Sequence, residues 1–335
     1  MFHDKTILTV LMQWDYGKPE RGTSLDKVCF FDNLQKLVGR VEVLWFDDYL
    51  DKRDELQKLL LEQADNIKPD LVLFIPFTAQ FTIGTLDELK QRYPTYAWFG
   101  DDQWRFESFS SKLASHFTHV STTDYWSITK YEAIGIKPIL TQWAAQPYTE
   151  NIGPLKANES YEYEISFIGG RNRYREWFIE ELEKNGIRVE CFGAKWRNGR
   201  VSYEDMEQIF RKSKINLNIS NSFGYDAQFL LSSMGNFLKH LRAKKNAEQI
   251  KARNFEIPLA GGFQLSNYVL GLERYLNIGQ EIAVYNSVDD CVKQIHYYLG
   301  QEKERNQIIH QSHNRVITEH TYLHRLKHVL EEIWE

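Results

Sequence analysis

The stretch Glu164-Ile-Ser-Phe-Ile-Gly-Gly-Arg-Asn-Arg-Tyr-Arg175 decides the fold. Through Ile168 it is a short run of β-branched and aromatic residues; Gly169 and Gly170 break the run, and Tyr174 to Lys184 has the period of an amphipathic helix. A strand that ends in glycines and turns directly into a helix opens a βα unit. Its neighbours in the sheet are expected to be parallel. The same alternation continues towards the C-terminus with Ile187 to Phe192, a helix from Tyr203 to Lys212, and Ile215 to Ile219. A helix through about Lys239 to Ala252 follows, then strands Phe263 to Leu265 and Glu281 to Tyr285, and helices to the end. Towards the N-terminus, Pro147, Gly153, Pro154 and the polar run 156–164 interrupt the pattern and predict a linker. Before it, strands at Thr6 to Trp14, Val41 to Phe46, Asp70 to Phe77, Thr95 to Phe99, Phe117 to Ser121 and Pro138 to Trp143 alternate with helices such as Leu25 to Val38 and Asp51 to Ala64. The chain is therefore read as two α/β halves, each with a mostly parallel sheet. Ligands are expected in the loops at the carboxyl ends of the strands.

Composition bounds the function. At about 150 residues per domain, 335 residues make about two domains, and 42% hydrophobic with 26% charged residues is ordinary for a folded soluble chain. Lys and Arg number 41 against 46 Asp and Glu, a formal net charge of -5, so no global basic field attracts nucleic acid or anionic lipid. Any anion site has to be local. The longest apolar run, around Leu71 to Phe77, falls far short of the roughly 18 to 20 residues that span a bilayer. The N-terminus lacks a charged region followed by a small-residue cleavage site, and a cytoplasmic protein is expected. Cys29, Cys191 and Cys291 form no C-x-x-C pair, which argues for buried free thiols over disulfides or zinc.

Among the loops, Gly169-Gly170-Arg171-Asn172-Arg173-Tyr174-Arg175 allows backbone to approach an anion beside guanidiniums and a helix N-terminus; it also fits a turn with solvated arginines. There is no G-x-G-x-x-G and no G-x-x-x-x-G-K-[ST], which lowers NAD enzymes and P-loop NTPases, and no G-x-S-x-G elbow. The densest segment is Glu248-Gln-Ile-Lys-Ala-Arg-Asn-Phe-Glu-Ile-Pro-Leu-Ala-Gly-Gly-Phe263. Eight residues turn a helix by about 800°, roughly 80° off one face, so Glu248 and Glu256 meet only if a helix ends between them. Pro258 and Gly261-Gly262 supply such an end. A Glu/Lys/Arg-rich helix is otherwise a solvated face.

The segment Gln249 to Ser266 closely resembles the signature of CgeB-like proteins, which belong with the group 1 glycosyltransferases of GT-B fold. Further matching stretches are Ile165 to Gly169, Lys214 to Asn218, Gly279 to Ala283 and Glu319 to Arg325, so the resemblance covers about residues 164–330. In the first half it rests mainly on Trp98-Phe99-Gly100-Asp101-Asp102 with Arg105-Phe106. The resemblance implies two Rossmann-like parallel-sheet domains facing across a donor-binding cleft, with an acceptor-side domain over 1–147, a linker at 148–163, a nucleotide-sugar domain over 164–318, and a C-terminal helix over 319–335 packing back on the first domain. It also implies that Glu256 accepts hydrogen bonds from ribose hydroxyls and that Glu248 contacts the donor sugar. Lys251, Arg253, Arg173 and Arg175 are then candidates for the diphosphate, with Gly169, Gly170, Gly261 and Gly262 counted on the donor side. Asp101 or Asp102, just past a strand, is a candidate base for an acceptor hydroxyl; either one also fits an N-cap.

No Asp-x-Asp occurs, so a metal on the diphosphate is not expected and the charge is left to Lys and Arg. No cofactor other than the nucleotide-sugar co-substrate is expected. His320, His324 and His328, spaced i, i+4, fit either a metal face or a polar helix surface. The expected activity is metal-independent transfer of a sugar from a nucleoside diphosphate, adopted as UDP by frequency, to an unidentified hydroxyl. A nucleotide-sugar epimerase or hydrolase, or a silent nucleotide-sugar-binding protein, fits the same residues. Nucleic acid enters only as an acceptor, and the sequence sets no oligomeric state. The 14% aromatic content is expected to be mostly core, as at Phe99, Phe167 and Phe192, with Trp14, Tyr16, Trp104 and Trp196 on the ligand side.

Overall fold

Every pairing between the named strands is parallel. The computed structural model describes residues 2–150, 153–220, 226–243, 245 and 247–335. The chain divides into two units, one of Met1–Gln142 with Tyr322–Glu335, the other of Trp143–Thr321.

In the first unit, β1 (Phe2–Leu11), β2 (Val38–Trp45), β3 (Leu71–Phe74), β4 (Thr95–Phe99), β5 (His119–Thr122) and β6 (Ile139–Leu140) lie in the order β2-β1-β3-β4-β5-β6. All of β3 and β4 is buried, as strands covered by helices on both faces must be; hence the unbroken apolar run Leu71-Val-Leu-Phe74. The core joins Leu8, Val10, Val72, Phe74, Ala97 and Phe99 with the apolar stripe of the helix Arg53–Ile67, namely Leu56, Leu60 and Ala64. The last helix, Tyr322–Trp334, also belongs to this unit. Its two ends are fixed by rings, Tyr322 on Phe30 at 5.4 Å and Trp334 on Phe2 at 4.8 Å.

In the second unit, β7 (Tyr163–Ile168), β8 (Glu190–Phe192), β9 (Ser213–Asn218), β10 (Gln264–Asn267) and β11 (Ala283–Tyr285) lie in the order β11-β10-β9-β7-β8. Both units thus place the first strand between the second and the third. In such doubly wound sheets the chain leaves the first strand in one direction and the third in the other, which opens a crevice beyond their carboxyl ends. The crevices lie after β1 and β3 in one unit, and after β7 and β9 in the other.

The region between β9 and β10 departs from expectation. Helices run over Ala227–Ser232 and Met234–Leu241, residues 248–251 are extended or irregular, and a new short helix occupies Arg253–Leu259. Of the helix predicted over Lys239 to Ala252, only residues 239–241 are helical, as the end of Met234–Leu241, and the described residues after them form a loop. Pro258, expected to stop a helix, sits inside the last one, which ends instead at Ala260 before Gly261, at φ +81°. Residues 148–150 and 153–163, the described part of the predicted linker, lie within the second unit. The Glu207 carboxylate accepts from Tyr148 N at 2.9 Å and Thr149 N at 3.1 Å, and Arg211 Nε donates to the Gly153 carbonyl at 3.0 Å. No helix among the described residues is long and apolar enough to cross a membrane.

Candidate active site

The carboxyl end of β7 carries Gly169 and Gly170 into the helix Arg173–Lys184, whose N-cap Asn172 accepts from Arg175 N at 3.0 Å. Gly169 is held against the next loop. Its N–H donates to the Phe192 carbonyl at 2.9 Å, and its carbonyl accepts from Trp196 Nε1 at 2.8 Å. A Cβ at Gly193 would lie 2.5 Å from the Gly169 oxygen, at a φ of +120°, so this loop pair closes only with glycine at 193. Gly170 is exposed with open space around it. Trp196, expected to offer its ring to a ligand, spends its indole N–H on this loop and packs on Phe167.

Two guanidiniums converge on Gly169. A Cβ there would meet Arg175 Nη1 at 3.2 Å and Arg253 Nη1 at 3.3 Å. Arg175 is fixed by carbonyls: Nε and Nη2 donate to Ile219 at 3.1 and 2.7 Å, and Nη1 to Gly170 at 2.9 Å. These bonds span the crevice from the end of β7 to the end of β9. Arg253 opens the short helix, and its buried Nε has no hydrogen-bond partner among the described residues. Neither arginine forms an ion pair among them. Burial pulls Arg175 down to about 10, and the charge of Arg253 pulls the same way. Burial also lowers Arg253, with Glu256 opposing. Two like charges held together with no ion-paired carboxylate among the described residues favour an anion between them.

Glu256 lies one turn beyond Arg253, buried. Burial raises its carboxyl above the usual range, and Arg253 opposes that shift. No described residue donates to it. Glu248 lies in the preceding loop near the end of β10, where Asn267 Nδ2 reaches its carboxylate at 3.5 Å; burial pushes it up to about 7, against that hydrogen bond. The structure thus places Glu248 and Glu256 on a loop and a helix, so the break between them falls before Arg253 and not at Pro258. Asn267 also accepts from Ser220 N at 2.9 Å, and the buried Ser220 hydroxyl has no partner among the described residues. Asn267 and Ser220 end consecutive parallel strands at this crevice. Sequence reading missed both, and only the strand order picks them out.

The remaining candidates separate. Arg173 is exposed, with its guanidinium against the backbone of Gly235. Lys251 Nζ lies over the Trp143 ring at 5.9 Å. Gly261 and Gly262 precede β10, at the opposite end of the strand from Asn267. A Cβ at Gly261 would lie 2.1 Å from the Gly153 backbone, and one at Gly262 would lie 2.5 Å from the Phe210 carbonyl oxygen. Their task is close packing, which corrects the donor-side placement.

In the first unit, Asp102 is turned inwards with no exposed surface and accepts from Tyr131 OH at 3.0 Å. Burial raises its carboxyl to about 6, opposed by the hydroxyls of Ser110, Thr122 and Tyr131. A side chain so enclosed does not reach an acceptor, which corrects its candidacy as a base. Asp101 precedes the helix Asp102–Arg105, makes no side-chain cap there and is half-buried. Tyr16 is exposed in the loop after β1, while Trp14 and Trp104 are half-buried. Among the described residues no group of His, Cys, Asp and Glu fits a metal ion. His320 is buried, donates from Nε2 to the Tyr275 carbonyl at 2.9 Å, and precedes the helix that carries His324 and His328. The three therefore share no helical face.

Residues 171–331 match the family described as glycosyl transferase-like. No curated protein matches the chain. Among solved structures, HepE of Anabaena in complex with UDP-glucose is similar at a TM-score of 0.63 and 11% identity, covering 98% of this chain and 99% of that one. Sucrose-phosphate synthase of Thermosynechococcus elongatus is similar at 0.68 and 8%, again covering 98% and 99%. A glycosyltransferase of Rickettsia africae is similar at 0.58 and 12%, covering 98% and 97%. The two sheets are those of the GT-B fold. The match to the glycosyl transferase-like family covers most of the second unit and the start of the last helix.

Proposed function

We propose that the protein is a CgeB-like glycosyltransferase that moves a sugar from a UDP-sugar to a hydroxyl acceptor without a metal ion. The observation that carries this reading is the pair of guanidiniums, Arg175 and Arg253, converging on Gly169 at the crevice of the second sheet. A diphosphate placed there meets both cations, the open backbone of Gly170 and the amides that start the helix Arg173–Lys184. As the sugar leaves, negative charge grows on the diphosphate, and cations fixed beforehand stabilise it without reorganising. Glu256 is positioned to accept from ribose hydroxyls, because its carboxylate has no donor among the described residues. Glu248, beside Asn267, faces the donor sugar. The UDP-glucose held by HepE supports UDP as the nucleotide. In the first unit, Asp101 is the remaining candidate to take a proton from the acceptor.

The test is release of UDP from a panel of UDP-, GDP- and CMP-sugars, with and without hydroxyl acceptors, in the presence of a chelator. Acceptor-dependent release of UDP with chelator present is expected. Release or isomerisation that needs no acceptor would point to a hydrolase or epimerase, and loss of UDP binding on chelation would end the metal-free reading.

A further inference from the structure

The helix Met234–Leu241 is inside out. Met234, Phe237, Leu238 and Leu241 recur at i, i+3, i+4 and i+7, the spacing of one helical face. That face is exposed, at 73% for Met234 and 66% for Leu241, with Phe237 and Leu238 also exposed. The polar Asn236 points the other way and is buried, donating to Ser232 Oγ at 2.9 Å. The preceding helix Ala227–Ser232 is anchored through Phe229, which sits in the core of the second unit, and it leaves Leu231 at 84% exposure beside the stripe. An apolar stripe is ordinarily what docks a helix onto its domain. Here Phe229 docks the pair, Asn236 ties the second helix to the first, and the stripe is left over.

Charge indicates what covers it. In sequence, Lys239, Arg242, Lys244 and Lys245 follow or flank the stripe, and no Asp or Glu occurs between Asp226 and Glu248. The chain as a whole carries -5, so this is a local reversal of its sign; Arg242, at the end of the helix, is exposed. Acids stand at the start of the first helix, where Asp226 is the N-cap and Asp289 accepts from Gln228 Nε2 at 2.8 Å; the far end of the second carries the exposed Arg242. An apolar face with cationic charge at one end is the pattern of a helix lying in a membrane interface, with side chains about 5 to 10 Å deep and cations on anionic headgroups. A second copy of the chain fits less well. One eight-residue stripe with Leu231 is small beside the roughly 800 Å² per partner of a stable interface, and cations facing cations across a two-fold would repel.

We infer that the helices Ala227–Ser232 and Met234–Leu241 form a docking surface for an anionic lipid bilayer, through the stripe Leu231, Met234, Phe237, Leu238 and Leu241. The stripe starts beside Arg173, whose guanidinium lies against Gly235, so docking brings the loop after β7 to the bilayer surface. The inference stands on exposure and charge pattern and does not require the donor assignment.

The experiment is co-sedimentation of the full chain with vesicles of phosphatidylcholine alone or with about 30% phosphatidylglycerol. Wild type is expected to sediment with the anionic vesicles at least about tenfold more than with neutral ones, and less as salt rises. The variant Leu238→Ser/Leu241→Ser is expected to lose this binding, and Arg242→Glu/Lys245→Glu to lose the preference for anionic lipid. Because both stripe residues are already exposed, thermal unfolding midpoints are expected to match wild type; the single variant Met234→Ser provides the same reading should the double variant unfold. No sedimentation of wild type with anionic vesicles, or binding that survives the stripe variants, overturns the inference. So does a dimer in analytical ultracentrifugation that Leu238→Ser dissolves while vesicles bind nothing.

Discussion

The two crevices share a strand order and differ in sign. After β7 and β9, two arginines converge on Gly169 with no ion pair among the described residues, although the charge of Glu256 acts on Arg253, and the Ser220 hydroxyl has no partner among those residues. After β1, the loop is built on carboxylates. Asp47 accepts from Gln13 N and Trp14 N, each at 2.9 Å, and Asp26 accepts from Met12 N at 3.1 Å. Burial pushes Asp26 up to about 7, and the nearby charges of Asp47 and Asp15 add to the rise. Arg21 of that loop lies over the Tyr16 ring at 5.2 Å, and Arg105, beyond β4, donates to the Phe77 carbonyl at 3.1 Å. One topology therefore produces two differently charged crevices. Strand order says where a ligand can sit, and the loop residues say what charge it can carry.

The contrast can be broken most strongly at Arg253. Arg253→Ala removes half of the guanidinium pair and should weaken UDP about 10- to 150-fold, the range expected for a lost charge-assisted contact of about 1.5 to 3 kcal/mol. Titration calorimetry checks it, and unchanged affinity would show that the anion sits elsewhere. The first unit provides the converse. Asp47→Ala strips two backbone N–H groups of their acceptor and should lower stability by about 1 to 3 kcal/mol, seen as a drop in the unfolding midpoint, while UDP affinity stays at the wild-type value. A matching loss of UDP affinity would mean that the crevices are not independent.

A third effect is a pH dependence. The Asp26 carboxyl is raised from 3.8 to about 7 in the folded protein. Its neutral form is thus favoured by folding; that contribution is complete below about pH 4 and is lost as pH rises through about 7. Asp26→Asn lacks this titration. The variant should therefore gain on wild type in unfolding midpoint between pH 4 and 7 and hold a constant lead above, measured by calorimetry across buffers. A lead that grows towards acid pH would contradict the burial of this carboxyl.

Much of the architecture was legible. The β-branched runs and the glycines after Ile168 located both sheets, and β4 begins and ends where the run Thr95 to Phe99 does. What sequence could not separate were adjacent identical residues and tightly packed glycines. Asp101 and Asp102 look alike in a chain, but Asp102, Phe106 and Ser110 are all buried at intervals of four, an inward stripe that includes the acid. Gly261 and Gly262 stand in the densest segment, yet only the approach of the 153–154 backbone to one and of the Phe210 carbonyl to the other shows that they are packing positions. Asn267 and Ser220 carried no signal, because their role comes from neighbouring strands that are distant in the chain. Arg175 and Arg253 were legible as charges; that they meet at one glycine is a property of the crossover between β7 and β9.

The return of the last helix to the first unit has a consequence for how the protein can be cut and recombined. The chain leaves the first unit once, after Gln142, and re-enters it at Tyr322. Near these points Ala145 N donates to the His320 carbonyl at 3.0 Å and residues 145 and 321 pair in a bridge, so the second unit is an insertion whose two ends lie side by side. Exchanging the second unit for that of a relative takes two junctions, at 142/143 and 321/322. A single truncation before the final helix would leave the module whole and strip Tyr322, Leu326, Val329 and Leu330 from the core of the other one.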